Sequence, residues 1–287
     1  MNITAPPAQG LEAATLTPKV VGNTLFFDRK QCSAAGAVLH DAYVGNDPFP
    51  HIVIDDFLFP DVLRRVVEEF PARKEGRFSD GQSKLKTGYQ MEAIESPYIT
   101  NLLNALNSSQ LIEFLEKMTG IEGLITDPHF SGGGLHETMT GGHLGIHEDF
   151  NVLKRLNLRR RLNLILFLNE DWNEKYGGNL ELWDKDMAKC RKSVAPIMGR
   201  AVVFNTDPGS YHGHPDPLTS PPDKFRRSIA LYYYTASEDN VLPAARTTQF
   251  KPRPGSNDKK PPISVRLREI ARDITPPIIL RQFRKRS

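Results

Sequence analysis

Two stretches, HLGIHED (residues 143–149) and RRLNLILFLN (160–169), decide the fold that this sequence predicts. Each is a short, largely apolar run bounded by turn residues, which is typical of a β-strand. His147 and Asp149 lie near the end of the first predicted strand. Because residues i and i+2 of a strand point the same way, these two side chains can present a nitrogen and an oxygen to one metal ion.

More strand-like runs surround these two stretches. From about residue 122 onward they alternate with glycine-rich turns, and no helical pattern separates them. Such a succession of short strands predicts a sandwich or jelly-roll barrel over residues 122–240. The further runs are GLITDPHF (123–130), GLHETM (134–139), NLELWD (179–184), RAVVFN (200–205) and RRSIALYYYT (226–235).

The segment before the barrel has a mixed pattern. Residues 1–22 are small, polar and proline-containing and indicate a flexible leader. Residues 23–121 are expected to supply a strand and supporting helices. The strand is predicted within PFPHIVIDDFL (48–58) and a helix over 59–70. A charged segment, 71–95, is expected to be loop with some short structure, and two helices are predicted within 96–120, the second ending at Gly120.

The segment after the barrel is rich in proline and basic residues. Residues 241–262 predict a surface excursion. Residues 263–287 predict a C-terminal helix over 263–274, broken by Pro276, and then a basic tail. We interpret the tail as a solvated terminus, since a short run of charges seldom identifies a partner.

The composition argues against several classes of protein. The 287 residues carry 37 basic and 34 acidic side chains, a formal charge of +3, which is too balanced to indicate a nucleic-acid partner. No stretch approaches the roughly 20 apolar residues of a membrane span, and the N-terminus lacks the pattern of a signal peptide. Cys32 and Cys190 cannot build a disulfide framework, so we expect a reducing, cytoplasmic setting.

The pair His147 and Asp149 gains meaning from residues further along the chain. A bare His-x-Asp arises readily by chance, and alone it favours a surface histidine beside a solvated aspartate. A third ligand can come from SYHGHPDPL (210–218), which would leave three metal positions open, as in non-haem Fe(II) oxygenases. Beyond it, Arg226 and Ser228 share one face of a predicted strand, where a buried arginine can bind a carboxylate through two parallel hydrogen bonds.

The chain resembles the prolyl-hydroxylase-like branch of the Fe(II)/2-oxoglutarate oxygenases over about residues 125–236. The resemblance implies a mainly β, α+β architecture: a double-stranded β-helix (jelly-roll, cupin-like) core with helices bracing one face. The likeness rests on HLGIHEDFN (143–151), RRLNLILFLNEDWNEKYGGNLELWD (160–184), VAPIMGRAVVFNT (194–206), SYHGHPDPL (210–218) and FRRSIALYYYT (225–235).

The same resemblance implies roles for individual residues. His147, Asp149 and His212 would be the catalytic iron ligands. Arg226 would bind the C5 carboxylate of 2-oxoglutarate, with Ser228 as its helper. Collagen-type members of the branch have a lysine where Arg226 stands, so the chain resembles the arginine-bearing members.

Two residues compete for these roles. His214 competes with His212, although it precedes Pro215, which restricts its backbone. Arg227 competes with Arg226, although the alternation of a strand points the two to opposite faces. We favour His212 and Arg226.

Three further polar residues are weaker candidates for cofactor binding. His143 and His136 can line the cosubstrate pocket or bond to neighbouring backbone, and Asn163 can make either a core hydrogen bond or a cosubstrate contact. The tyrosines and tryptophans of the barrel, and its paired glycines, are interpreted as packing and turn residues: Tyr232, Tyr233, Tyr234, Trp172, Trp183, Gly177 and Gly178.

The reaction implied by the resemblance is hydroxylation of an unactivated C–H bond with release of succinate and CO2. It would use Fe(2+), 2-oxoglutarate and O2, with ascorbate as a candidate reductant. Halogenating relatives usually have a small residue at position 149, so Asp149 favours hydroxylation; desaturation and ring closure stay open.

The substrate is left open by the sequence. We expect a small molecule, such as an amino acid or a natural-product intermediate, with a peptidyl (prolyl-type) substrate as the alternative. No nucleic-acid or membrane partner is expected, and the oligomeric state is not predicted. Two other classes compete with this interpretation: a metal-only enzyme on a similar barrel, and a non-catalytic metal-binding jelly-roll module.

Overall fold

The structure is a computed structural model that describes residues 15–72, 83–237 and 243–258. The predicted C-terminal helix and basic tail lie outside these residues, as does most of the predicted leader. Within the described residues, no helix is long and apolar enough to cross a membrane.

Antiparallel strands dominate the chain, as predicted. Twelve of them form one sheet with the central order β10-β9-β12-β6-β13-β8-β11-β3, and β1 and β2 form a separate hairpin. The strands are β1 (Lys19–Val21), β2 (Thr24–Phe26), β3 (His51–Ile54), β4 (Ser83–Tyr89), β5 (Ile125–Thr126), β6 (Gly134–Glu148), β7 (Val152–Leu153), β8 (Leu158–Phe167), β9 (Leu180–Trp183), β10 (Cys190–Val194), β11 (Ala201–Asn205), β12 (His212–His214), β13 (Arg226–Thr235) and β14 (Gln249–Phe250).

The long strand β6 joins the two layers of the barrel. Its first half, from Gly134 to Thr138, pairs with β13 on one side and β4 on the other. Its second half pairs with β12 and β14. A site at the end of β6 therefore lies between the layers, with strands from both around it.

Strands β8 and β13 show why polar residues reach the barrel interior. Along β8, Leu162, Leu164 and Leu166 pack into the main hydrophobic core, while the intervening residues point to the other face. Along β13, Ile229 and Leu231 likewise join that core. The even-numbered positions of β13 therefore line the interior.

Four helices cover the outer face of the main layer, and their ends follow the sequence. They are α1 (Arg29–Val44), α2 (Pro60–Glu68), α3 (Pro97–Leu106) and α4 (Ser109–Thr119). Ser96 and Ser108 cap α3 and α4 by accepting backbone N–H bonds. Gly120 ends α4 with φ 71°, which confirms the predicted C-terminus.

The structure refines three of the predicted segments. The predicted leader extends too far, because Leu16 is fully buried and β1 begins at Lys19. The segment 71–95, predicted as loop with some short structure, contains the seven-residue strand β4, which pairs with β6. The predicted surface excursion 241–262 contributes β14 to the sheet.

Candidate metal and cosubstrate site

Three side chains meet at the end of β6. His147 and Asp149 come from β6 and the residue just after it, and His212 comes from β12, which pairs with β6 so that His212 lies opposite His147. Nε2 of His147 is 3.7 Å from Oδ1 of Asp149, and Nε2 of His212 is 3.4 Å from Oδ2. The three ligand atoms lie within 4.8 Å of one another. They are the one group of this kind in the described residues.

Backbone carbonyls orient both imidazoles. Nδ1 of His147 lies 2.8 Å from the carbonyl oxygen of Gly145, and Nδ1 of His212 lies 3.0 Å from that of Ser210. A ring whose Nδ1–H donates to backbone carries its lone pair on Nε2, which is the atom that faces Asp149. This outer hydrogen bond is the usual way in which a metal-binding histidine is held.

Burial sets the charge of the cluster. It lowers the pKa of His147 to about 4, with the nearby His212 acting in the same direction, and it also lowers the pKa of His212. Burial alone would raise the pKa of Asp149, but Arg160, His212 and His147 together bring it below its ordinary value. Two neutral imidazoles and one carboxylate therefore face each other at neutral pH, which is the protonation state that metal binding requires.

Asp149 is anchored by two residues of β8. Asn163 donates to Oδ2 of Asp149 at 2.7 Å, and Nη2 of Arg160 lies 3.0 Å from the same oxygen. Arg160 also donates to Oδ1 of Asn163, so the three form a closed network. Of the two roles left open for Asn163, the structure shows a buried hydrogen bond to this carboxylate.

Arg160 is itself fixed by aromatic rings. Its guanidinium lies 3.5 Å from the ring centroid of Tyr232 and 4.4 Å from that of Phe150. Only 2% of the residue is exposed. Tyr232, interpreted from sequence as a packing residue, therefore supports the carboxylate indirectly as well as lining the interior.

A cavity of about 270 Å³ opens beside the three side chains. Arg226 and Ser228 line it from β13, as do Ala230 and Tyr232. Arg226 is 5% exposed, its Nε donates to the carbonyl of Gly178 at 2.6 Å, and no acidic side chain among the described residues pairs with it. Burial lowers the pKa of Arg226 to about 9.

Arg227 points to the other side of β13. Its Nε donates to Glu137 at 2.9 Å, and its guanidinium lies 4.3 Å from the ring of Phe70. It borders a second, larger cavity of about 430 Å³ on the outer face. That cavity contains none of the three clustered residues, so it is not where the metal chemistry would take place.

The weaker candidates divide between the cavity and its surroundings. His136 and His214 line the cavity, whereas His143 is not among its lining residues. A bulge between the two pairs His212–His147 and His214–Leu144 interrupts the alternation of β6, and Leu144 lines the cavity instead. His214 is fully buried, and neither of its ring nitrogens has a hydrogen-bond partner among the described residues.

Three residues at the site were not identified from the sequence. Arg160 stands in the run RRR (159–161), where nothing in the letters distinguishes the buried arginine. Lys86 lines the cavity from β4, and Phe250 lines it from β14. The ring of Phe250 lies 5.3 Å from that of His147. Only the pairing of these two strands with β6 brings them to the site.

Comparisons with known proteins agree with this geometry. Residues 133–234 match the family model described as the 2OG-Fe(II) oxygenase superfamily. Among solved structures, the chain is similar to a Trichoplax adhaerens prolyl hydroxylase in complex with a peptide fragment of the hypoxia inducible factor oxygen degradation domain. The identity is 16% and the TM-score 0.52, over 71% of this chain and 91% of that one. A comparison with curated protein sequences found no match.

Two other solved structures are similar at lower scores. One is a prolyl-4-hydroxylase from Pseudomonas putida, with 19% identity and a TM-score of 0.47 over 70% of this chain and 98% of that one. The other is HygX from Streptomyces hygroscopicus with nickel, 2-oxoglutarate and hygromycin B bound, with 12% identity and a TM-score of 0.44 over 64% and 82%.

The fold is therefore a double-stranded β-helix, as predicted, and its residues 133–234 match the 2OG-Fe(II) oxygenase superfamily. The protein is a 2-oxoglutarate-dependent dioxygenase that uses Fe(II).

Proposed function

We propose that this enzyme hydroxylates an unactivated C–H bond of a small molecule, with His147, Asp149 and His212 as its iron ligands. Arg226 and Ser228 bind the C5 carboxylate of 2-oxoglutarate. One observation carries the proposal: the three potential ligands open on a cavity whose wall holds a buried arginine without an acidic partner among the described residues.

The donor set fits ferrous iron. Two imidazole nitrogens and one carboxylate on one side of an ion leave the opposite side open, which is the ligand set of non-haem Fe(II) oxygenases. When bound, the iron and 2-oxoglutarate together supply the oxidising power that activates O2 toward a C–H bond. Asn163 and Arg160 hold Asp149, and the backbone carbonyls hold the imidazoles, so the three ligands are preorganised.

The cavity fits 2-oxoglutarate. Arg226 and Ser228 stand two residues apart on β13 and line the cavity together. A buried guanidinium without an acidic partner is strongly stabilised by a bound carboxylate, since an unpaired buried charge is costly in free energy. The keto-acid end of the cosubstrate would then lie toward His147 and His212, and its C5 carboxylate toward Arg226.

The small size of the cavity supports a small substrate. Its 270 Å³ has to hold the cosubstrate as well, and the segment that carries β14 narrows it by placing Thr248 and Phe250 in the wall. A peptidyl substrate is the second candidate. It is favoured by the likeness of the barrel to the Trichoplax prolyl hydroxylase, which was solved with a peptide.

The cofactor chemistry is tested by adding Fe(II) and then 2-oxoglutarate to apoprotein without oxygen and recording the visible spectrum. We expect a weak charge-transfer band only when both are present. His147→Ala should abolish it. Arg226→Met should move its half-saturation to at least tenfold more 2-oxoglutarate, whereas Arg227→Met, the neighbour that faces outward, should leave it unchanged. A folded, metal-loaded wild type without the band would contradict the proposal.

The substrate class is tested by measuring succinate release. Panels of free amino acids, other small metabolites and proline-containing peptides are compared under identical conditions with the wild-type enzyme. Stimulation by free small molecules alone supports the proposal. Stimulation by peptides alone would replace it with the peptidyl candidate.

A further inference from the structure

Lys86 places a second cation in the cosubstrate cavity. It lies on β4 and lines the cavity, and its ammonium group forms neither a hydrogen bond nor an ion pair with any described residue. Burial lowers the pKa of Lys86 to about 8, with Arg226 acting in the same direction and Asp149 opposing them. The ammonium group is therefore close enough to Arg226 for the two charges to repel each other.

The register of the sheet shows how the two cations are arranged. On β6, Thr138 is paired with Lys86 of β4 on one side and with Arg226 of β13 on the other. Residues directly opposite on neighbouring strands project to the same face. With a strand spacing of about 4.8 Å, the Cα atoms of Lys86 and Arg226 lie roughly 10 Å apart. In this register Thr138 stands between the two cationic residues, and both of those residues line the cavity.

An irregularity in the pairing of β4 with β6 separates Lys86 from its neighbour Lys84. The register shifts between them, where Leu85 alone, with a φ of 52°, stands opposite residues 139–142 of β6. In a regular strand Lys84 and Lys86 would share a face. Here Lys84 is exposed, while Lys86 is partly buried in the cavity wall.

The charges around the cavity do not balance. Lys86 and Arg226 line it with positive charge, and the one carboxylate in its wall, Asp149, is already paired with Arg160. Two cations that are partly withdrawn from water and lack acidic partners favour a bound anion.

We propose that Lys86 is a second cationic contact for the C5 carboxylate of 2-oxoglutarate, acting together with Arg226 and Ser228. The inference rests on the proposed function, because it assumes that the cosubstrate occupies this cavity. It adds a residue from β4, a strand outside the part of the chain that the family match covers.

The test compares two ligands that differ only in the distal carboxylate. Binding of 2-oxoglutarate and of 2-oxopentanoate, which lacks that group, is measured by calorimetry at pH 7 on Mn(II)-loaded protein without oxygen. Lys86→Met should weaken 2-oxoglutarate binding at least tenfold and 2-oxopentanoate binding less than twofold. Lys86→Arg should restore most of the loss. Lys84→Met, the exposed neighbour, should change neither.

Each other outcome overturns the inference in a recognisable way. If Lys86→Met leaves 2-oxoglutarate binding unchanged while Arg226→Met weakens it, Lys86 serves another anion, such as a substrate carboxylate, and the proposed function stands. If Lys86→Met weakens both ligands equally, its effect is a general change in the cavity. If the wild type binds no 2-oxoglutarate at all, the proposed function fails together with the inference.

Discussion

Asp149, a proposed metal ligand, shows how much the charge of a buried carboxylate depends on the residues behind it. Its Oδ2 accepts from Asn163 and pairs with Arg160, and these two are bonded to each other. The arrangement keeps the carboxylate ionised in spite of its burial, because the pKa of Asp149 stays below its ordinary value. A residue that never touches the metal can therefore control metal affinity.

Replacing Arg160 by Gln tests this control. The change removes the charge beside Asp149 and the cation between Phe150 and Tyr232, so we expect metal affinity to fall by about 10- to 100-fold. Loss of one partner of a buried ion pair should also lower the free energy of unfolding by about 3 kcal/mol. Mn(II) titration and denaturant unfolding measure the two effects.

The matched control for that variant is Arg159→Gln. The side chain of Arg159 is 43% exposed and reaches Asp207 at 3.4 Å, away from the cluster. Its replacement should leave metal affinity unchanged and lower stability by less than about 1 kcal/mol. Equal metal affinities for the two variants would show that Arg160 does not act through Asp149.

Gly178 matters for the space it leaves around Arg226. Its φ is 75°, and a Cβ built there would lie 2.6 Å from Cδ2 of Leu218 and 2.9 Å from Cδ of Arg226. Its carbonyl also accepts the Nε–H of Arg226. Interpreted from sequence as half of a turn, this glycine in fact forms part of the wall that holds the arginine.

Gly178→Ala should therefore weaken 2-oxoglutarate binding about tenfold, because the new methyl group displaces the Arg226 side chain. The control is Gly177→Ala: Gly177 also has a positive φ, 69°, but no atom lies within 4 Å of a Cβ there. Both variants place an alanine at a positive φ and so share the same conformational cost. Only Gly178→Ala should change cosubstrate affinity in a binding titration. A similar loss in both would point to the turn as a whole.

At the level of elements, the sequence predicts best those strands that lie between two other strands of the sheet. The prediction for β13 matches its bounds, and that for β8 is displaced by two residues. Both carry a continuous run of apolar residues, since each packs between other strands. The proposed metal ligands lie elsewhere, at the end of β6 and on β12, and they were found from the His-x-Asp pattern, the SYHGHPDPL motif and the family resemblance.

The two strands that the sequence did not predict, β4 and β14, have residue patterns that do not resemble a buried strand. Strand β4 reads SKLKTGY and leaves most of its side chains partly or fully exposed, so its pattern resembles that of a charged loop. Strand β14 has only two residues and precedes a proline-rich stretch. Each joins the sheet through backbone hydrogen bonds to β6. Such bonds place few constraints on the side chains, so the amino-acid sequence gives little sign of them. Lys86 and Phe250 were missed for this reason.

The segment that carries β14 is tied to the site by several bonds. Arg246 pairs with Glu148, the Arg246 N–H donates to Asn151, and the Lys251 N–H donates to the carbonyl of Ile146. These contacts hold the Phe250 ring against the His147 imidazole. The ring thereby shields His147, one of the proposed metal ligands, from solvent.

Replacing Phe250 by Ser should speed the loss of bound metal. Without the ring, water reaches the His147 imidazole, so we expect Mn(II) to dissociate several-fold faster when an excess of chelator is added. Gln249→Ser is the control, since Gln249 belongs to the same strand but does not line the cavity. Equal dissociation rates in the two variants would exclude a shielding role.

For the whole molecule, buried histidines connect stability to pH. Burial lowers the pKa of His51 on β3, with Lys192 acting in the same direction and the Phe49 carbonyl and Asp47 opposing. Burial also lowers the pKa of His136 well below its ordinary value. At a pH where these histidines already bind a proton in the unfolded chain, both are still neutral in the folded protein.

The direction of the pH effect is set by that difference in protonation. The unfolded state binds more protons below about pH 6.5, so stability is fully present above that value and falls as the pH decreases through it. Each such histidine contributes a slope of up to about 1.4 kcal/mol per pH unit. We therefore expect the metal-free protein to lose little stability between pH 7.5 and 6.5 and progressively more as the pH falls to 5.5.

Unfolding by denaturant at pH 7.5, 6.5 and 5.5 isolates the contribution of His51 when wild type and His51→Gln are compared. The variant loses the contact of the ring with the Phe49 carbonyl and is less stable at pH 7.5. Its stability should nevertheless fall less steeply on acidification, because glutamine binds no proton in either state, and the contributions of all other groups cancel in the comparison. Parallel curves for the two proteins would mean that His51 gains its proton in the folded state as readily as in the unfolded chain. The burial of the β3 edge would then not govern its charge.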